Sequence, residues 1–174
     1  MRLLLFLLLL PAFGIAQVKK SLDKNKSSIT YYMKHLLHAW DGTSKELTGL
    51  VLSGADSKIE KVAIATKVSS FDSENSNRDA HLLEVVEALK YPTISFYSTS
   101  ITEPVKGELE VKGILQFHGV SKEVSFKAYV TQQKNNIQVV GDFIFLLEDF
   151  KIERPSFMLK PVDNEVKVKF DILF

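Results

Sequence analysis

Four histidines, one Arg-Asp-x-His run and twelve phenylalanines are the residues through which this chain could do chemistry or recognise a ligand. The histidines are His35, His38, His81 and His118, with no His-Glu-x-x-His pair and no cysteine to share a metal with them. On one straight strand His35 and His38, three apart, would point to opposite faces, so no metal site is expected. No Gly-x-Ser-x-Gly elbow and no thiol nominates a nucleophile. No catalytic residue is assigned, no cofactor is called for, and the chain reads as a non-enzyme.

Arg78, Asp79 and His81 form the polar head of a short amphipathic segment and carry two readings. In one, Arg78 and the free N–H groups of a helix start meet an anionic headgroup at a rim. In the other, Asp79 caps the helix, in a Ser76-to-Asp79 capping box, and Arg78 pairs with a carboxylate that locks the segment to the body of the protein. The second is preferred, because Asp79 already holds the place an anion would take.

The elements around this segment are strands. Ile29, Tyr31, Met33, His35 and Leu37 alternate with Thr30, Tyr32 and Lys34. Asp41 to Ser44 supplies turn chemistry. Further strands are predicted over Glu46–Leu52 and Ile59–Ser70. Helical spacing occurs once, at about 76–89, where Leu82, Leu83, Val86 and Leu89 share a face; Pro92 then returns the chain to extended geometry. Leu109, Val111, Gly113, Leu115 and Phe117 alternate with charged residues. His118 to Lys122 forms a hairpin, and Val124, Phe126, Ala128 and Val130 follow on the inner side. After a turn at Asn135-Asn136, Ile137–Leu147 is apolar on nearly both faces, which predicts a strand covered outside as well as inside. Val166 to Phe174 closes the pattern.

About eight strands and one helix make an all-β fold, an eight-stranded antiparallel barrel with a crossover helix. A barrel of that size is filled by its own side chains or holds one small ligand. Tyr31, Trp40, Phe96, Phe117, Phe126, Phe143, Phe145 and Phe170 are the candidate ligand wall. For any one phenylalanine the core reading is preferred to the ligand wall, and Trp40 reads either as a lid or as a plug. Gly49, Gly113 and Gly141 leave space inside or mark bends.

At the N-terminus, Arg2, the apolar run Leu3–Leu10 and Gly14-Ile15-Ala16 read as a secretory signal peptide cleaved after Ala16, which predicts a periplasmic or secreted product. Val18–Lys26 reads as a polar tether. The apolar run is too short to span a bilayer. Residues 17–174 then form a single domain of balanced charge, so neither nucleic acid nor stable membrane insertion is expected. Without cysteine, the fold rests on its core.

Phe71-Asp72-Ser73, Asn77-Arg78-Asp79-Ala80-His81-Leu82 and Lys90-Tyr91-Pro92-Thr93-Ile94-Ser95-Phe96 together resemble the signature of the YceI-like proteins, lipocalin-like polyisoprenoid-binding barrels. Val105–Leu109, Gly113–Lys122 and Met33-Lys34-His35 are similar to further parts of that family. The resemblance implies an extended antiparallel barrel, export, and an apolar tunnel holding a polyisoprenoid or similar long-chain amphiphile. Two departures stand out. Ser27-Ser28 lacks the family's preceding histidine, and Arg154 and Phe157 keep an Arg-x-x-Phe-Gly spacing in which Met158 replaces the glycine. The expected function is an exported carrier or sequestering protein for an isoprenoid-like or fatty amphiphile. The alternative is a ligand-free structural module with a filled core. The oligomeric state is left open, a homodimer included.

Overall fold

A computed structural model describes residues 17–36, 38–54, 58–133, 136–157 and 159–174. The predicted leader, Leu37, Ala55-Asp56, Asn135 and Met158 lie outside them. Ten strands form one curled antiparallel sheet: β1 (Val18–Ser21), β2 (Ser28–His35), β3 (His38–Ser44), β4 (Leu47–Ser53), β5 (Ile59–Lys67), β6 (Thr93–Val105), β7 (Glu108–Phe117), β8 (Val120–Gln133), β9 (Asn136–Leu146) and, after a small hairpin of β10 (Ser156–Phe157) and β11 (Lys160–Pro161), β12 (Glu165–Leu173). Their order across the sheet is β1-β4-β5-β6-β7-β8-β9-β12-β2-β3. The count exceeds eight for two reasons.

First, the predicted tether is structural: Val18–Ser21 pairs with Ser53–Leu50, and Leu22 behind it is buried. Second, the predicted first strand and its Asp41–Ser44 turn are really a hairpin. The chain reverses directly after His35, where Leu36 takes φ 51°, and His35 pairs with His38. Asp41–Ser44 is strand, and Gly42 serves a different purpose from a turn. A Cβ there would lie 2.5 Å from Tyr31 Cε1, so the glycine seats the tyrosine ring. The pairing also corrects the histidine argument, because opposite residues of a hairpin share a sheet face. His35 is buried, with Nε2 3.0 Å from the Lys160 carbonyl oxygen, while His38 is exposed.

The one helix, α1 (Ser76–Val85), is shorter than predicted. Its N-cap is Asn75, whose Oδ1 accepts from the Arg78 N–H at 3.1 Å. The cap is therefore displaced by one residue and the predicted box does not form, the Asp79 carboxylate accepting from Ser73 instead. Glu87 at φ 47° takes the chain out of helical geometry, and Leu89 is fully exposed rather than on the apolar face. At the β7–β8 turn both central residues, His118 and Gly119, have positive φ, the twist that a two-residue hairpin requires.

Two apolar clusters fill the interior. One gathers Leu47, Val51, Leu109, Val111, Ile172 and Phe174; the other, beneath α1, gathers Val68, Val86, Phe117, Phe150, Ile152 and Val166. Ile29 and Phe96 touch both. The strand glycines do not stand empty: rings occupy the space at Gly113 and Gly141, and at Gly49 a Cβ would lie 2.7 Å from the Ala63 carbonyl oxygen. A Cβ on Gly113 would lie 2.5 Å from the Phe96 ring and from the Tyr97 carbonyl oxygen, and one on Gly141 would lie 2.7 Å from Phe170 Cζ. Gly113→Ala should accordingly destabilise the protein by ~1–3 kcal/mol in denaturant unfolding, the usual cost of overpacking where backbone cannot yield.

Candidate functional site

An apolar cavity of about 160 Å³ runs through the interior. Side chains from seven strands of the sheet and from α1 line it. This follows from strand alternation, since every second residue of β2, β5, β6, β7, β8, β9 and β12 faces inward. Phe96, Phe117, Phe126, Phe143, Phe145 and Phe170 all line the cavity, and so does Tyr31. Their rings form a continuous network: Phe96–Phe126 at 5.5 Å, Phe126–Phe143 at 5.1 Å, Phe126–Phe170 at 5.6 Å, Phe143–Phe145 at 6.4 Å and Phe117–Phe145 at 6.0 Å between centroids. Sequence reasoning did not select Met33, Phe71, Leu82 and Val86, which also line it. The spacing of Leu82 and Val86 on one helix face and the alternation of Met33 with Tyr31 were the signals for three of them; Phe71 offered only its apolar character.

The polar run lies beside the cavity, not in it. Among the described residues, none of Trp40, Arg78, Asp79 or His81 belongs to the lining. Asp79 turns back to the segment before the helix, accepting from Ser73 Oγ at 2.6 Å and from the Ser73 N–H at 3.2 Å. Arg78 donates to the Ser73 carbonyl at 3.3 Å and stands 5.7 Å from the centre of the Trp40 ring. Its partners here are a carbonyl and an indole face instead of the predicted carboxylate. His81 is exposed on the helix surface, 3.4 Å from Glu84.

Tyr31 joins the two regions. Its ring packs 5.6 Å from Phe71, and its hydroxyl reaches the Trp40 and Asp79 side. Burial, reinforced by the negative charge of Asp79, pushes the phenol up to about 12, against the opposing effects of Arg78 and a hydrogen bond with Trp40. A second, larger hollow of about 710 Å³ is more polar, bordered by Lys24, Lys45, Glu46 and Lys67. No group of three or more His, Cys, Asp or Glu that could hold a metal occurs among the described residues.

At the end of β9, Arg154 reaches Glu148 Oε1 at 2.9 Å and the Val162 carbonyl at 3.2 Å, tying the 3-10 turn Glu148–Phe150 to the strand-to-strand loop. Behind it Phe150 is 1% exposed and packs on Phe117 and Phe145. That position made no periodic pattern in the sequence.

Comparison with known proteins places this architecture. The profile of the YceI-like domain matches residues 21–174. A UPF0312 protein of Shewanella denitrificans is 28% identical over 152 residues, covering 82% of this chain and 78% of that protein. A UPF0312 protein of Vibrio cholerae is 30% identical over 106 residues, covering 59% and 56% respectively. Among solved structures, BcnA of Burkholderia cenocepacia superposes with a TM-score of 0.80 at 20% identity, covering 88% of this chain and 99% of that one. A polyisoprenoid-binding domain from Saccharophagus degradans, implicated in plant cell wall breakdown, gives 0.71 at 15% identity over 92% of this chain and 98% of that one. At these identities the structural likeness establishes the shared fold.

Because the tyrosine is held neutral by its surroundings, its contribution to stability is complete below pH 10 and is lost as pH rises towards 12. Absorbance titration at the phenolate band should show one of the five tyrosines ionising late. Tyr31→Phe should remove that late component.

Proposed function

This chain belongs to the YceI-like family, and on that premise we propose that it is a non-catalytic carrier whose barrel interior takes up the apolar chain of an isoprenoid-like or fatty amphiphile. The observation that carries the reading is the cavity itself, bounded by rings and aliphatic side chains from seven of the ten strands. Burial alone supplies affinity, at roughly 0.8 kcal/mol for each CH₂ removed from water. The polyisoprenoid-binding relative from Saccharophagus degradans supports the ligand class.

The cavity volume of about 160 Å³ sets the mechanism. A dry apolar cavity of about 150 Å³ accepts a benzene-sized group. A longer chain therefore enters by displacing rings, and the Phe96–Phe126–Phe143–Phe145 network is what must move. These contacts are dispersion contacts without directional bonds, so a chain of similar polarisability replaces them at little cost. The same ring packing favours the second reading, a filled barrel that binds nothing. Export belongs to the proposal and rests on the leader-like residues 1–16.

Protein purified without detergent, extracted into organic solvent and analysed by mass spectrometry should yield a prenyl or acyl compound. Protein stripped of lipid should rise in melting temperature when geranylgeraniol or an 18-carbon fatty acid is added. An extract free of lipid together with no thermal shift for either compound establishes the filled barrel instead. In cells carrying the intact gene, N-terminal sequencing of protein from the envelope fraction should begin at Gln17.

A further inference from the structure

The β8–β9 ladder stops halfway. It runs from Gln133↔Asn136 to Ala128↔Gly141, and there the pairing ends although both strands continue, β8 back to Val120 and β9 on to Leu146. Across the unpaired stretch the Phe126 and Phe143 rings stack, 5.1 Å apart and 20° from parallel. Both rings line the cavity. The outer side of β9 at this place is apolar and wet: Ile144 is 54% and Leu146 37% exposed. The sequence pattern had predicted a cover over this face.

The sheet parts at a second place, beyond Ala63↔Tyr97 of the β5–β6 ladder. There the backbone is bridged, because the Val62 N–H donates to Ser98 Oγ at 2.9 Å. Its outer lip carries Glu60, held by Gln17, beside the half-exposed Tyr97. Hydrogen bonds hold that lip together. At the β8–β9 gap, by contrast, exposed apolar surface outside adjoins aromatic surface inside. Swinging two rings aside there breaks no ladder hydrogen bond.

We propose that the gap between β8 and β9 is the lateral portal of the cavity, with Ile144 and Leu146 as the landing surface for the apolar end of the ligand and the Phe126–Phe143 stack as its gate. The occupant is a hydrocarbon chain, which slides across β9 and enters between the rings. Below the gap, the turn Glu148–Phe150 limits its width: Phe150 packs on Phe145, the His118 Nδ1–H donates to the Phe150 carbonyl at 2.9 Å, and Lys122 pairs with Asp149 at 3.8 Å. This inference rests on the carrier reading and adds the route to it.

The chain has no native cysteine, so the gap can be locked selectively. Ser125→Cys with Ile144→Cys, opposite each other in the continued register, would be joined by a short bismaleimide and the cross-link verified by mass. Thr43→Cys with Asp72→Cys, a bridged pair away from the gap, is the control. Stopped-flow uptake of cis-parinaric acid should slow at least tenfold when the gap is locked and stay within twofold in the locked control. Ile144→Glu with Leu146→Glu, at exposed positions that leave the core untouched, should slow uptake and release about fivefold with the equilibrium amplitude unchanged. Uptake within twofold of the unlocked protein in both gap variants overturns the portal while the carrier reading stands. Slower uptake in the control alone moves the entrance to the helix side and also overturns it. No binding by the unlocked protein overturns the carrier reading and the portal with it.

Discussion

The curl of the sheet has to be completed where no backbone ladder completes it. β1 and β3 are the two edges of the ten-stranded order, and between them the ring is joined by other means. Ser44 Oγ lies 2.9 Å from Thr66 Oγ1 and 2.7 Å from Ser70 Oγ, and Thr43 exchanges backbone hydrogen bonds with Asp72. Further along the seam, the Leu22 N–H donates to the Gly49 carbonyl, the Asp23 N–H to that of Leu173, and the Leu173 N–H to Ser27 Oγ. Buried donors and acceptors without partners are costly. Among the described residues every buried side-chain nitrogen and oxygen has one.

Once the seam is joined, the interior takes its character from what alternation points inward. The rings that meet there need room, and glycines on neighbouring strands provide it: Gly42 under Tyr31, Gly113 under Phe96, Gly141 under Phe170. The rings and the room they occupy both follow from where aromatic residues and glycines stand on the strands.

The helix end obeys a different rule. There the polar groups are tied among themselves, with Asp79 on Ser73, Arg78 on Ser73 and Trp40, and His118 between Glu87 and the Phe150 carbonyl. Such bonds fix the crossover and keep charge out of the cavity. The apolar side of α1 contributes Leu82 and Val86 to the lining, so one short helix closes the barrel with its polar head turned away. The cavity is left with apolar walls.

From the amino-acid sequence alone came the all-β architecture with a single crossover helix, the family resemblance, and six inward phenylalanines, because strand alternation depends only on the two-residue period of an extended chain. The Asp41–Ser44 segment was misread because Asp-Gly suits a turn and a strand glycine beneath a ring equally well. The tether was misread because pairing gives Val18–Ser21 its structure, and a polar strand gains its partners only in the fold. Asn75 and Ser76 are both good caps, and the choice between them depends on how Ser73 and Asp79 meet. The closure of the seam, the size of the cavity and the arrest of the β8–β9 ladder were decided by tertiary structure. Each depends on how far a twisted sheet must bend around a given volume of side chains, and no local pattern contains that volume.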